Sequence, residues 1–258
     1  MFDNIKVSVV TPTYNDERYI RQTINSVLSQ THANLELIII DDCSCDNTVS
    51  IIKEFQDKRI VLIENSKNRG AAYSRNIGIK HSSGDYVAFL DGDDIWDIKK
   101  LDIQLQFMEA NNYLFSATQY SLIDDNGNPL GVLVTAPHVI TNKMLRKISY
   151  IGCLTVMFKK NVYPNLSIPE DIKKRNDYAL WLKLSEKTDC YFLDQNLAYY
   201  RKRSNSISSG NKTKLFKYHV ALYKSLYSYN SIKAFFMACR NVFYYFSKNR
   251  KYIKKEKK

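Results

Sequence analysis

Four times in the first hundred residues a short apolar run gives way to a segment of helical periodicity, and this alternation narrows the possible folds more than any other feature. Residues 7–11 (VSVVT) form a β-branched run that stops at Pro12. Residues 35–41 (LELIIID), 59–64 and 85–90 (DYVAFL) repeat the pattern. Between the first two runs, Ile20, Ile24, Val27 and Leu28 recur at helical spacing, with Asn15 or Asp16 placed to cap that helix. Further helices are expected up to Phe55 and from Ala71 to about Lys80. Uninterrupted apolar strands joined by helices predict a parallel sheet covered on both faces. Ligands of such sheets lie beyond the carboxyl ends of the strands. That directs attention to Thr11, Pro12, Tyr14, Asp41, Asp42 and residues 91–94.

The second half is less regular. Residues 124–129 (DDNGNP) predict a hairpin turn, 154–158 a strand, 176–184 (NDYALWLKL) the start of a helix, and 191–193 and 197–200 two edge strands. After Ser208 the pattern is helical, with Leu215, His219, Leu222 and Leu226 on one face. Phe235, Phe236, Cys239, Val242, Phe243 and Phe246 then share a face, with Lys233 and Arg240 on the other. The net charge of the 258 residues is +12, and half of it lies in residues 247–258, which hold seven Lys or Arg and one acid. Such a terminus suits an anionic membrane surface. Nucleic acid is disfavoured, because a nucleic-acid face interleaves its basic residues with aromatics on a structured surface. Five scattered cysteines, with Cys43 and Cys45 one residue apart, read as free thiols of a reducing compartment. The opening Met1-Phe2-Asp3-Asn4 has no signal-peptide pattern and no run is long enough to span a bilayer. The expectation is a cytoplasmic protein, peripheral at the inner face of the cytoplasmic membrane.

The fourth apolar run leads into Asp91-Gly92-Asp93. Two carboxylates one residue apart, with glycine between them, reach a single hard divalent cation, which prefers oxygen ligands and bridges phosphate oxygens. A departing diphosphate needs its charge neutralised, and a metal does this without proton transfer. The same tripeptide is ordinary turn chemistry, so spacing alone leaves both readings open.

The neighbouring segments add to it. Thr11-Pro12-Thr13-Tyr14-Asn15 ends the first run, residues 41–48 (DDCSCDNT) end the second, and Asn68-Arg69-Gly70 and Ser74-Arg75-Asn76 precede the aspartates. In this order, over about residues 5–205, they resemble glycosyltransferase family 2. The resemblance implies an α/β GT-A fold, Rossmann-like, with a mostly parallel central sheet flanked by helices in residues 1–208; the helical pattern and charge read above make 209–258 a helical amphipathic extension with a basic tail. It implies that Thr11, Pro12 and Tyr14 line a nucleotide pocket, that Asp42 accepts from uracil, and that Arg75 lies near the nucleotide. Asp93 is expected on a Mg²⁺ or Mn²⁺ ion, with Asp91 facing the ribose or the metal's water.

Family members carry a Glu-Asp pair before an aromatic residue and Leu-Trp-Leu. Here the match is Asn176-Asp177-Tyr178-Ala179-Leu180-Trp181-Leu182, with Asn176 in place of glutamate. Asp177 is the expected general base. Glu170-Asp171 is a literal acidic pair without that context. In residues 200–208 (YRKRSNSIS), Arg203 stands where the family commonly has histidine, and a guanidinium suits a diphosphate. The implied activity is transfer from a UDP-sugar to a glycan or lipid-linked saccharide with inversion. A nucleotidyltransferase would need a glycine-rich basic loop at residues 11–15, where no Gly or Lys occurs. A donor-binding protein without catalysis stays open, because Asn176 replaces a carboxylate.

Overall fold

The computed structural model describes residues 2–203 other than 173, and residues 212–255. The four predicted runs are strands β1 (Val7–Thr13), β2 (Leu35–Asp41), β3 (Ile60–Glu64) and β4 (Tyr86–Phe89), separated by helices α1 (Ile20–Leu28), α2 (Thr48–Lys53) and α3 (Ala71–His81). β1 pairs in parallel with both β2 and β4, and β3 continues the sheet beyond β2. β1, β2 and β4 are buried at every position, which is why they read as continuous apolar runs. Alternate residues serve opposite faces. Val9, Leu37, Ile39 and Ala88 pack with Ile24 and Leu105, whereas Val10, Ile38, Val87 and Phe89 pack with Ile79 and Trp181.

After β4 come β5 (Ile95–Trp96), α4 (Lys100–Ala110), β6 (Phe115–Ile123), β7 (Pro129–Val134), β8 (Val139–Ile140), α5 (Asn142–Leu145), β9 (Met157–Lys159), α6 (Asn176–Leu184), β10 (Cys190–Arg201), α7 (Lys212–Tyr227), α8 (Ser231–Tyr252) and β11 (Ile253–Lys255). The sheet runs β11-β7-β6-β9-β4-β1-β2-β3, with β10 pairing β6, β5 and β8. β6 and β7 form the predicted hairpin. The two expected edge strands are one strand, β10, which lies parallel to β6 and shifts register around Asn196. The polar Asp194-Gln195-Asn196 break the apolar pattern there without ending the strand. The strand expected at 154–158 starts later, because a 3₁₀ turn takes Cys153–Thr155. Neither Asn15 nor Asp16 caps α1 with its side chain; the cap position is Tyr19, and the Asp16 carboxylate points elsewhere.

Leu222, Tyr223 and Ala234 of α7 and α8 join the apolar cluster around Trp181. Asn241 Nδ2 of α8 donates to the Tyr178 hydroxyl of α6 at 3.4 Å, and Arg240 donates to the Arg146 carbonyl. The basic terminus continues as helix to Tyr252 and then as β11 on the edge of β7. Residues 204–211, which include the expected boundary at 208/209 and the end of the 200–208 stretch, lie outside the described residues, as do the side chains of Leu215 and Phe246. Among the described residues no helix is long and apolar enough to cross a membrane.

The amino ends of the strands are tied by one buried acid. Glu36 of β2 accepts from Lys6 Nζ at 2.7 Å, Ser8 Oγ at 2.5 Å, and the Ser83 amide and hydroxyl at 2.6 and 2.8 Å. Burial works against its charge, but these bonds, led by Lys6, hold the carboxyl at about 2 against an ordinary 4.5. A carboxyl depressed in the folded state contributes stability above its unfolded value and loses it as pH falls through the folded one. Glu36→Gln is expected to cost about 1–3 kcal/mol at neutral pH. Urea melts from pH 7 to 2 should show the wild type losing this increment between about 4.5 and 2, with the variant flatter across that window.

Candidate active site

The carboxyl ends of β1, β2 and β4 are laced together by backbone bonds. The Asp42 amide donates to the Thr13 carbonyl at 2.9 Å and the Gly92 amide to the Pro12 carbonyl at 3.2 Å. A side chain at residue 92 would meet Thr13 Oγ1 at 2.7 Å and Asp16 Oδ2 at 2.8 Å, so the centre of the aspartate motif accepts only glycine. Around this seam the structure brings together Thr11, Pro12, Asp42, Arg75, Asp91, Asp93, Asn176 and Arg203 from six stretches of chain.

The Asp42 carboxylate is buried and accepts three bonds. Asn65 Nδ2 and the Arg69 amide reach Oδ1 at 2.9 Å each, and the Gly70 amide reaches Oδ2 at 2.6 Å. It therefore shapes the 68–70 turn, and one lone pair is left on a group that has about four. Thr11 Oγ1 is buried without a partner among the described residues, while the Tyr14 ring is 46% exposed.

Arg75, on α3, is buried and links two segments that the sequence holds far apart. Its Nη2 donates to Asp91 Oδ1 at 2.5 Å and its Nη1 to Asn176 Oδ1 at 2.6 Å. Burial opposes its charge, yet Asp91 and, further off, Asp177 keep it fully protonated, above the usual arginine value. Asn76 on the same helix clamps the backbone of Ile168 through bonds of 2.8 and 2.7 Å. α3 thus ties the segment ahead of α6 to the aspartate motif. α6 starts abruptly at Arg175, which adopts φ 65°. Asp177, in its first turn, is part-exposed, and among the described residues its carboxylate makes no hydrogen bond or ion pair. Glu170 pairs with Arg69 at 3.2 Å and Asp171 accepts from Ser225, so the literal acidic pair is engaged in holding loops.

Asp93 faces a different arginine. Arg203 Nη1 lies 3.0 Å from Asp93 Oδ2 and 2.7 Å from Asp16 Oδ1. Burial, helped by the charges of Asp16 and Asp91 and opposed by Arg203, raises the Asp93 carboxyl to about 6. Asp94 is also raised, by burial and by Asp93, although it accepts from the Arg201 amide at 2.8 Å. Arg201 is itself buried, with its Nε on the Asp93 carbonyl and its Nη2 on Gln22 Oε1. The pocket is short of positive charge even with three arginines around it. An oxygen-ligated divalent cation fits that deficit. Among the described residues no three acidic, His or Cys side chains converge on one point, so the remaining ligands would be phosphate oxygens and water, which suits Mg²⁺ or Mn²⁺.

Three contributors were not expected. Asp16 has the signature of a helix cap, and only its bonds to Thr13 and Arg203 reveal its place in the acid cluster. Arg201 and Asn176 belong to recognisable motifs, but their bonds depend on contacts across about 100 residues of chain.

Comparison with known proteins shows the family of the chain. Residues 8–160 match the model of glycosyl transferase family 2. TuaG of Bacillus subtilis (strain 168), a glycosyltransferase named for teichuronic acid biosynthesis, is 42% identical over 231 residues, covering 88% of this chain and 91% of its own. WfgD of Escherichia coli, a UDP-Glc:alpha-D-GlcNAc-diphosphoundecaprenol beta-1,3-glucosyltransferase, is 40% identical over 220 residues, covering 83% and 84%. The crystal structure of S. aureus TarS 1-349 with UDP-GlcNAc shares the fold, with a TM-score of 0.73 at 21% identity over 94% of this chain and 73% of that one. On these matches the chain belongs to glycosyl transferase family 2.

Proposed function

We propose that the chain is an inverting hexosyltransferase that moves a sugar from a UDP-sugar to a lipid-linked saccharide during synthesis of a capsule- or O-antigen-type polysaccharide. The observation that carries this reading is the unpartnered Asp177 carboxylate, held by the Arg75 bridge at the same end of the sheet as Asp91 and Asp93. Support for donor and acceptor comes from WfgD, whose name states UDP-Glc and a diphosphoundecaprenol saccharide. TarS, crystallised with UDP-GlcNAc, supports the same nucleotide.

In this reading Thr11, Pro12 and Tyr14 line the nucleotide pocket, and Asp42 offers its remaining lone pair to the uracil N–H. Arg203 pairs with the diphosphate. Asp93, with Asp91 beside it, would hold a Mg²⁺ or Mn²⁺ ion, which would supply charge neutralisation to a leaving diphosphate. Asp177 takes the proton from the acceptor hydroxyl as its oxygen attacks the anomeric carbon from the face opposite the diphosphate, which inverts the configuration. Asn176 acts as a positioning residue. It accepts from Arg75 and so fixes the first turn of α6 against Asp91 without adding a second carboxylate next to the base. The enzyme works at the cytoplasmic face of the membrane that carries its acceptor.

UDP release from a panel of UDP-sugars should be metal-dependent for one donor. Asp177→Asn should lower transfer about 10²–10⁴-fold and leave UDP affinity by calorimetry unchanged; full activity in that variant would remove Asp177 as the base. Asn176→Ala should lower kcat by up to about 10²-fold, as misplacement of a reacting group does, with donor KM and UDP affinity retained. Asn176→Asp, which keeps an oxygen for Arg75, should stay within several-fold of the wild type in kcat. Equal loss in both variants would show that the neutral side chain, and not the tie, is what matters.

A further inference from the structure

Helix α8 turns its apolar face outward. Ile232, Phe236 and Phe243 are 71%, 67% and 73% exposed, among the most exposed large apolar side chains described. With Cys239 they follow one another at steps of four, three and four residues, so they form a single stripe along the helix. Phe235 and Val242 widen it. The opposite face carries the buried Ala234, Ala238 and Asn241, which seat α8 on the protein. A helix that buries its small residues and displays phenylalanines is arranged the wrong way round for solvent, and a contiguous apolar surface of this kind marks an interaction site.

The charge of the chain identifies the partner. Residues 1–211 hold 25 basic and 25 acidic side chains and are neutral as a whole. The eleven Lys and Arg between Lys212 and Lys255 meet no Asp or Glu in that stretch, so nearly all of the +12 lies in α7, α8 and β11. Arg250 continues the line of the stripe seven residues beyond Phe243, and Arg250, Lys251, Lys254 and Lys255 are all exposed. Pairing of β11 with β7 holds these cations on the sheet edge, and the Lys248 ammonium is anchored on the Ser149 carbonyl at 2.8 Å. The stripe and the cations are therefore parts of one fixed surface.

We propose that this surface docks on an anionic lipid bilayer, with Ile232, Phe236 and Phe243 entering the headgroup–acyl boundary and Arg250, Lys251, Lys254 and Lys255 over the headgroups. It gives the membrane location proposed above its physical contact, and it rests on that reading only for its purpose. A second copy of the chain is a poor occupant, because a two-fold pairing through this face would set two acid-free helices against each other. α8 lies directly behind α6, through Asn241 and Tyr178, so a bilayer held by α8 has a fixed place relative to Asp177.

The test uses the full chain and vesicles of phosphatidylcholine with or without phosphatidylglycerol. Sedimentation of the wild type should be at least about tenfold stronger with the anionic lipid, as several basic residues near such a surface require. Phe236→Ser/Phe243→Ser should lower binding to both vesicle types on the order of tenfold or more, and Lys254→Gln/Lys255→Gln should lower it only on anionic vesicles. UDP affinity and UDP release with a water-soluble acceptor, measured on the same preparations, should not change in either variant. Those readouts also certify folding and report on the proposed reaction separately, so either reading can fail alone. Equal sedimentation of wild type and phenylalanine variant would overturn the proposal. So would equal partition between the two lipids, or a dimer that the phenylalanine variant dissolves while the wild type ignores vesicles.

Discussion

The organisation of this molecule depends on how a cluster of carboxylates is kept beside the end of a hydrophobic sheet. Asp16, Asp91, Asp93 and Asp94 sit within a few residues of strands that are entirely buried, where an unpaired charge is costly. Arg75, Arg201 and Arg203 compensate for them, and each comes from a different part of the chain than the acid it meets. The consequence is architectural. Arg75 joins β4 to the start of α6, Arg201 joins the end of β10 to the aspartate turn, and Arg203 joins the segment after β10 to the loop after β1. The parallel half of the sheet and the irregular half are stapled to each other at the place where chemistry is expected. Compensation is incomplete, as the raised Asp93 and Asp94 carboxyls record. A protein that neutralised these acids fully would have no electrostatic reason to receive a cation or a guanidinium–diphosphate contact.

Much of this was legible in the sequence, for a physical reason. Strands buried on both faces leave no polar residue inside the run, so β1, β2 and β4 announce themselves, and the residues just past their ends define the site. Asp91-Gly92-Asp93 was visible because glycine is forced there by the approach of Thr13 and Asp16. What could not be read were pairings in space. Asp16 has the composition and position of a helix cap, and nothing local distinguishes a carboxylate aimed at its own helix from one aimed at Arg203. The role of Asn176 depends on a bond to a residue 101 positions away. β10 reads as two strands in the sequence because a polar triplet at a register shift looks like a loop without its partner β6.

The C-terminal helices show another limit of pattern reading. Periodicity establishes that α8 has an apolar face, but an apolar face is the same in sequence whether it is buried or displayed. Two features at the level of the whole chain discriminate where periodicity does not. One is the small-residue face of Ala234 and Ala238, which marks the side that approaches other helices closely. The other is charge segregation: a chain that balances 25 acids with 25 bases over its first 211 residues and then carries no acid from Lys212 to Lys255 is not merely basic. It has one neutral body and one cationic face.

That separation bears on how the two surfaces relate. In the proposed reading donor capture falls to local groups, Arg203 and the cation deficit around Asp93, and orientation at a charged surface falls to α8 and β11. The link between them is mechanical. Tyr178 follows Asp177 directly in α6, is wholly buried, donates to the Leu145 carbonyl and accepts from Asn241 of α8. Through that residue the position of the α8 stripe and the position of the proposed base are set by the same packing, so a change in either helix is felt at both surfaces.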